Sequence, residues 1–249
     1  MTPPARLVLP ERLVLVTRPL PDAEATAAAL AALGHGAIIA PMQGVAALPP
    51  KRLPPATALL LTSRNGVRAL AGRAELFGLP CFCVGDSTTA LARTSGFRHA
   101  VSADGDARDL ARLVAARCDP GAGALLLAVA RGAGMGLAAA LRGQGFRVLR
   151  RTVYRTWSQA VLPDAARAAL AAGRIGWVLF HAPGAAAAFA RAVQQAGLAE
   201  TLRDVEALPI SAAAAQRLGT LPWRLTRWPA RPTEAAMLAL LPPPARAPR

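Results

Sequence analysis

Short apolar runs alternate along this chain with longer alanine-rich segments, and small polar residues, glycines or prolines stand at the junctions. Runs such as 13–17 (LVLVT) and 124–129 (ALLLAV) lack polar alternation, which is typical of parallel strands buried on both faces. Strands that alternate with helices of about 10–13 residues predict parallel sheets with right-handed crossovers, and hence an α/β fold. Outside the repeated segments described next, we predict strands at 13–17, 37–40, 124–129, 146–154 and about 223–228, and helices at 23–33, 104–116, 136–142, 163–172 and 233–241.

One pattern of strand, small turn and alanine-rich helix occurs twice. Residues 58–68 (ALLLTSRNGVR) and 177–189 (WVLFHAPGAAAAF) show the same succession. Each is followed by a second strand–turn–helix signature, at 81–97 and at 207–219. Such an internal duplication predicts two similar lobes, each a parallel sheet flanked by helices, with the ligand site in a cleft between them.

The strand–helix–strand unit at 12–43 precedes the first copy and has no counterpart immediately before the second. We therefore predict that it completes the C-terminal lobe, and that the chain crosses between the lobes through a two-stranded linker. We expect a flexible arm at 1–11 and a disordered tail at 242–249. The predicted lobes are 1–43 with 158–249, and 46–153, and the predicted linkers are 44–45 and 154–157.

Composition changes this picture mainly through charge. The formal net charge is +15, and Lys51 is the only lysine among 29 basic residues. Two explanations stay open: the arginine codons of a GC-rich genome, or attraction of a polyanion. Because the arginines are scattered singly between apolar blocks, the pattern disfavours nucleic acid. A small, multiply charged ligand remains a candidate.

The cysteines and the apolar segments argue against a disulfide-rich, a metal-binding or a membrane-spanning protein. Three cysteines are too few for a disulfide framework. Cys81 and Cys83 flank Phe82 and are predicted to share one buried face. No second Cys/His pair has zinc spacing, so we expect no metal site. Charged and proline residues at 10–12 interrupt the apolar start, and no apolar stretch suits a membrane span. We therefore expect a cytoplasmic protein that does not bind membranes.

Six segments together resemble uroporphyrinogen-III synthase, in the form common in alphaproteobacteria. Each segment alone is weakly specific, but they occur in the family's order and with similar spacing over nearly the whole chain. The segments are VTRP at 16–19, TSRNGV at 62–67, VGDSTTA at 84–90, VYRT at 153–156, ISAAAAQRL at 210–218 and RPTEAAMLALL at 231–241.

The resemblance implies a monomeric two-lobe lyase of tetrapyrrole and haem biosynthesis. Such an enzyme cyclises the linear tetrapyrrole hydroxymethylbilane without a cofactor, inverting the last pyrrole ring and releasing water to give uroporphyrinogen III. The substrate carries carboxylate arms on every ring, which agrees with the basic charge. The upstream hydroxymethylbilane synthase is a candidate partner.

Four strand-to-helix turns are candidates for binding those carboxylates. Helix N-termini carry free N–H groups and a partial positive charge, and ligands of open α/β sheets bind at the carboxyl ends of the strands. For Ser63, Asn65 and Ser211 a role as helix caps alone is the alternative. The turns are 63–65, 86–88, 183–185 and 211–213, and their candidate substrate-binding residues are Ser63, Asn65, Thr88, Pro183, Gly184 and Ser211.

Tyr154, the only tyrosine, occupies the position that the resemblance assigns to assisting loss of the substrate hydroxyl. A phenol can donate a hydrogen bond to the leaving oxygen, although a structural role at the linker is an alternative. Arg18 and Arg131 each follow a predicted strand and are expected to pair with a carboxylate arm, with a solvated surface role as the alternative.

The second copy departs from the family pattern. His181–Ala182 stands where many members have Thr-Ser, Ala214 replaces a threonine, and Ala130 replaces the usual glycine after the strand at 124–129. Ser211 opens the second turn in place of that threonine, so on balance two hydroxyls are missing, and His181 is either a substitute donor or a structural residue. These departures keep an alternative function open: a non-catalytic two-lobe protein that binds an anionic ligand.

Overall fold

A computed structural model describes residues 12–48, 50 and 52–243 of the chain. The predicted arm at 1–11 and most of the predicted tail at 242–249 lie outside these residues. Contacts divide the chain into two compact units. We call Met1–Gly44 with Trp157–Arg249 the terminal unit, and Val45–Thr156 the central unit.

The elements follow the alternation that the sequence predicts. The strands are β1 (Leu13–Val16), β2 (Ala37–Ile39), β3 (Gln43–Ala47), β4 (Ala58–Leu61), β5 (Pro80–Cys83), β6 (His99–Ser102), β7 (Ala124–Ala130), β8 (Arg147–Ser158), β9 (Ile175–Phe180), β10 (Glu206–Pro209) and β11 (Leu225–Thr226). The α-helices are α1 (Asp22–Ala32), α2 (Arg64–Leu70), α3 (Asp86–Thr94), α4 (Ala107–Arg117), α5 (Met135–Gly143), α6 (Asp164–Ala171), α7 (Pro183–Gln195), α8 (Ala212–Ala215) and α9 (Glu234–Leu238).

The strands form two sheets. The terminal sheet has the order β11-β10-β9-β1-β2, and all of these neighbours pair in parallel. The central sheet has the order β3-β8-β7-β4-β5-β6, and its pairs from β8 to β6 are parallel. The predicted α/β class, with parallel sheets flanked by helices, is confirmed.

Both faces of each sheet are buried, which explains the continuous apolar runs. In β4, Leu59 and Leu61 pack on the side of α2 and α3, whereas Ala58 and Leu60 pack on the side of α4 and α5. A strand with apolar side chains on both faces needs no polar alternation. Cys81 and Cys83 are fully buried on one face, as predicted, with their sulfurs 3.9 Å apart.

The duplication is more complete in the structure than in the sequence pattern. The order β6-β5-β4-β7-β8 matches β11-β10-β9-β1-β2, and helices α2, α3 and α5 of the central unit correspond to α7, α8 and α1 of the terminal unit. The unit β1–α1–β2 therefore has a counterpart, β7–α5–β8, which follows the first sequence copy.

The strands at the edges and linkers differ most from the prediction. Neither β3 nor β6 was predicted; β3 has no fully buried residue and β6 has one, Ala100. Strand β8 continues to Ser158, through the segment predicted as a linker. The boundaries between the units fall inside β3 and β8. None of the described helices is long and apolar enough to cross a membrane.

Candidate active site at the carboxyl edge of the central sheet

Five of the candidate residues belong to the central unit, where strand order brings them to one edge of the sheet. Strands β8, β7, β4 and β5 are parallel neighbours, so the residues that follow them lie at the same edge. Tyr154 in β8 pairs with Ala130, the last residue of β7. The other candidates at this edge are Ser63, Asn65, Thr88 and Arg131.

The Tyr154 hydroxyl lies 2.8 Å from Ser63 Oγ. Ser63 is also the N-cap of α2, since its Oγ accepts a hydrogen bond from the Gly66 N–H at 3.2 Å. Ser63 therefore does more than cap a helix. If its hydroxyl proton points to Tyr154, the phenolic proton is left to donate elsewhere. Tyr154 is only 7% exposed, so its ring is fixed by packing while its hydroxyl is held at the edge.

A bulge in β8 turns Tyr154 toward α2. The register between β7 and β8 shifts between Val129 and Ala130, and the Arg131 N–H donates to the Tyr154 carbonyl at 2.9 Å. Consecutive residues of a regular strand point to opposite faces. Val153 and Tyr154 nevertheless pack into the same cluster beneath α2 and α3. The extra residue of the bulge makes this possible, and it re-aims the tyrosine.

The remaining polar candidates of this edge have distinct surroundings. Thr88 is buried in the first turn of α3, whose N-cap is Gly85, so its hydroxyl is not the helix cap. Asn65 Oδ1 accepts a hydrogen bond from Arg68 Nη1 at 3.0 Å. Arg131 is exposed, and its guanidinium has no hydrogen-bond or ion-pair partner among the residues that the structure describes.

Arg18 is in a different situation from the one expected. It is 8% exposed, and its Nη1 donates to Thr26 Oγ1 at 3.1 Å and to Glu234 Oε1 at 3.0 Å. Its Nη2 lies 3.6 Å from Asp22 Oδ2. The carboxylates that Arg18 meets in the structure thus belong to the chain itself, and its burial argues against the alternative of a solvated surface role. Pairing of Arg18 with a substrate carboxylate stays a prediction.

The terminal unit places the last three candidates at the carboxyl ends of β9 and β10, which are parallel neighbours. Pro183 and Gly184 open α7, and a Cβ at Gly184 would collide with the side-chain amide of Gln43. Ser211 caps α8, since its Oγ accepts from the Ala214 N–H at 3.4 Å. No side chain caps α7, because its N-cap is Ala182.

His181 lies beside the Arg18 cluster, and its two ring nitrogens have no hydrogen-bond partner among the described residues. Its side chain is 7% exposed, and its Nε2 is 3.5 Å from Glu234 Oε1, too long for a hydrogen bond. Burial, and then the charge of Arg18, lower the pKa of His181 against the opposing effect of Glu234. Burial alone would raise the pKa of Glu234, but His181, Thr26 and Arg18 together lower it to about 2.

These two shifts predict that acid destabilises the protein in two steps. The pKa of His181 lies below its usual 6.5 in the folded state, so the unfolded chain binds the proton more readily and stability falls as pH drops below 6.5. Glu234 contributes stability above its usual pKa of 4.5, and this is lost as pH falls toward 2. Urea unfolding between pH 7 and 3 measures both. His181→Gln should weaken the pH dependence of the free energy of unfolding near pH 6, and Glu234→Gln should weaken it below pH 4.5. If the pH dependence is unchanged in both variants, the assignment is wrong.

Removing Arg18 should mainly affect stability. In Arg18→Met, Glu234 and Asp22 lose their buried cation, and breaking such a pair costs about 3 kcal/mol. We expect that loss in the free energy of unfolding from denaturant titration. The double variant Arg18→Met, Glu234→Gln should lose less than the sum of the single changes, because the second change removes the uncompensated charge. Strict additivity would show that the pair is not coupled.

Comparisons with known proteins agree on one family. Residues 24–239 match the family model described as HEM4, uroporphyrinogen-III synthase HemD. The uroporphyrinogen-III synthetase of Helicobacter pylori has a similar structure, with 17% identity and a TM-score of 0.60 over 92% of this chain and 97% of that one. A mutant uroporphyrinogen III synthase of Thermus thermophilus gives 21% identity and a TM-score of 0.53 over 91% and 96%. No curated protein sequence matches the chain significantly.

Proposed function

The chain belongs to the uroporphyrinogen-III synthase family, since the family model spans residues 24–239, and we propose that it is the lyase that cyclises hydroxymethylbilane. The product is uroporphyrinogen III, formed with loss of water and inversion of ring D. We propose further that the protein acts as a cytoplasmic monomer supplied by hydroxymethylbilane synthase. The alphaproteobacterial form of the family stays a prediction.

The contact between Tyr154 and Ser63 is the observation that carries the proposed mechanism. The reaction begins when the substrate's hydroxymethyl oxygen leaves and an azafulvene-like cation forms. Tyr154 donates a hydrogen bond to the leaving oxygen, and the Ser63 Oγ at 2.8 Å keeps the phenol oriented. The cation is then attacked within the bound tetrapyrrole to close the ring. The protein contributes orientation and electrostatics, with no covalent intermediate on a side chain.

Binding of the substrate carboxylates is assigned to one arginine and to backbone amides. Arg131 is exposed and has no partner among the described residues, so it is free to form a bidentate pair with a carboxylate arm. The N–H groups at the starts of α3 and α7 have no capping side chain and provide further donors. The candidate ligands are Asn65, Thr88, Arg131, Pro183, Gly184 and Ser211. Arg18 and Ser63 stay candidates too, although Arg18 contacts carboxylates of the chain and Ser63 contacts Tyr154.

The isomer composition of the product tests this proposal. Hydroxymethylbilane closes spontaneously to the type I isomer, so type III appears only with a catalyst. We expect the folded protein to convert hydroxymethylbilane mainly into type III, and a reaction without protein to yield type I. Type I alone from folded protein would refute the proposal.

A specific observation favours one second candidate, a binding protein that holds the anionic tetrapyrrole without catalysis. The terminal unit has Ala182 as N-cap of α7 and Ala214 in α8, at positions where the resemblance leads us to expect hydroxyl side chains. Such a protein would bind hydroxymethylbilane with the same carboxylate contacts but yield only type I. Equilibrium binding measured beside the isomer assay separates the two functions.

A further inference from the structure

Arg131 lies in a tight turn between β7 and α5. The Ala133 N–H donates to the Ala130 carbonyl at 3.1 Å, which closes a four-residue turn over 130–133. Gly132 is the third residue of this turn and has a φ of 78°, a backbone conformation that favours glycine. Arg131 is the second residue, and its N–H donates to the Tyr154 carbonyl at 2.9 Å. The backbone of Arg131 is therefore fixed, although its guanidinium is free.

The end of this loop packs back onto the sheet. A Cβ at Gly134 would lie 2.6 Å from Val129 Cγ1, and Gly134 also has a φ of 78°. Glycine is thus needed at this position both for space and for backbone conformation. Since Val129 packs on the side of α4 and α5, the loop lies over that face of the central sheet.

Arg150 contacts the loop from the neighbouring strand. Its Nη1 donates to the Ala133 carbonyl at 2.9 Å. In the parallel register of β7 and β8, Arg150 pairs with Leu127. Val148, two residues earlier in β8, packs on the side of α4 and α5, so the Arg150 side chain points to the same face as the loop. A side chain of β8 therefore holds the residue that follows Gly132 and precedes Gly134.

We propose that Arg150 is a positioning residue, which fixes the turn at 130–133 so that Arg131 is oriented for a substrate carboxylate. A loop with two glycines has many accessible conformations, and ordering it on binding costs free energy. A hydrogen bond that already orders the loop in the free protein removes part of this cost. The link to the substrate rests on the proposed function, whereas the anchoring of the turn does not.

Hydrogen exchange of the free protein tests the anchoring. In Arg150→Met, we expect the amide protons of Arg131 and Ala133 to exchange about fivefold faster than in the wild type, because one hydrogen bond that closes the loop is lost. Arg142→Met is the matched control. Arg142 lies in the last turn of α5, and its Nη2 donates to the Val148 carbonyl at 2.8 Å. This variant loses the same charge and the same kind of bond at the opposite end of the helix, so exchange in the turn should stay unchanged.

Kinetics test the link to the substrate. Arg150→Met should raise KM for hydroxymethylbilane about threefold to tenfold and leave kcat nearly unchanged, because the loop orients a binding group and Tyr154 keeps its own partner. Arg142→Met should keep the wild-type KM. In the background of Arg131→Met, the change at Arg150 should have no further effect on KM, since Arg150 acts through Arg131.

Three outcomes would overturn the proposal. The first is unchanged exchange of the turn in Arg150→Met, and the second is faster exchange with an unchanged KM. The third is a rise in KM that persists in the Arg131→Met background, which would mean that Arg150 binds the substrate itself. Failure of the wild type to form type III isomer would refute the proposed function and leave the exchange experiment unaffected.

Discussion

Replacing Tyr154 by phenylalanine is expected to slow formation of the type III isomer about 10- to 100-fold. General-acid assistance is typically worth 10²–10⁴-fold, but this substrate ionises readily on its own, so the loss should lie at or below the bottom of that range. Spontaneous closure then competes, and the share of type I should rise. Initial rates and isomer ratios at saturating hydroxymethylbilane measure both effects.

The structure provides two controls for Tyr154→Phe. The ring packs in the cluster beneath α2 and α3, so stability should change by only about 1 kcal/mol for one lost hydrogen bond. Ser63→Ala keeps the phenol but removes its partner, and it should give a smaller loss of rate with about 1 kcal/mol from the lost helix cap. A Phe variant with the wild-type rate would instead make Tyr154 a structural residue.

Replacing Arg131 by methionine is expected to lower kcat/KM about 10- to 100-fold, mainly through a higher KM, because a charged hydrogen bond contributes about 1.5–3 kcal/mol. Stability should hardly change, since this exposed guanidinium has no partner among the described residues. Added salt should slow substrate association with the wild type, because exposed charges are screened beyond about 10 Å at 0.1 M. The variant should show a weaker dependence on salt.

Arg147 supplies the matched control for Arg131. It is exposed and begins β8, where it pairs with Ala124 at the amino end of β7, the opposite edge of the same sheet. Arg147→Met removes the same charge and should leave kcat/KM nearly unchanged. Equal losses in the two variants would show that overall charge, and not a site at the carboxyl edge, attracts the substrate. If kcat/KM falls in neither variant, codon usage is the better explanation for the excess of arginine.

Local patterns in the sequence were enough for the fold class and for the edge on which the candidates lie. The apolar run at 58–61 predicts a strand because burial on both faces removes the need for polar residues. Once the strands are parallel, the residues after them must share the carboxyl edge, so Ser63, Thr88 and Arg131 could be assigned to it. Strands with little buried area, such as β6, leave no such pattern and were missed.

Contacts between distant parts of the chain could not be predicted. Ser63 and Tyr154 are 91 residues apart, and their hydrogen bond depends on the order of β4, β7 and β8 and on a bulge that no periodicity marks. Arg18 and Glu234 are 216 residues apart, so the sequence could not show that the fold places this carboxylate beside the arginine.

The sequence by itself determined that this protein is a duplicated α/β chain with hydroxyl and arginine side chains at the strand ends. It could do so because burial and helix formation act over a few neighbouring residues and leave a periodic pattern. Only the tertiary structure decided that carboxylates of the chain surround Arg18 and which hydroxyl contacts Tyr154. Those choices depend on which strands become neighbours, and strand order is set by packing of the whole sheet.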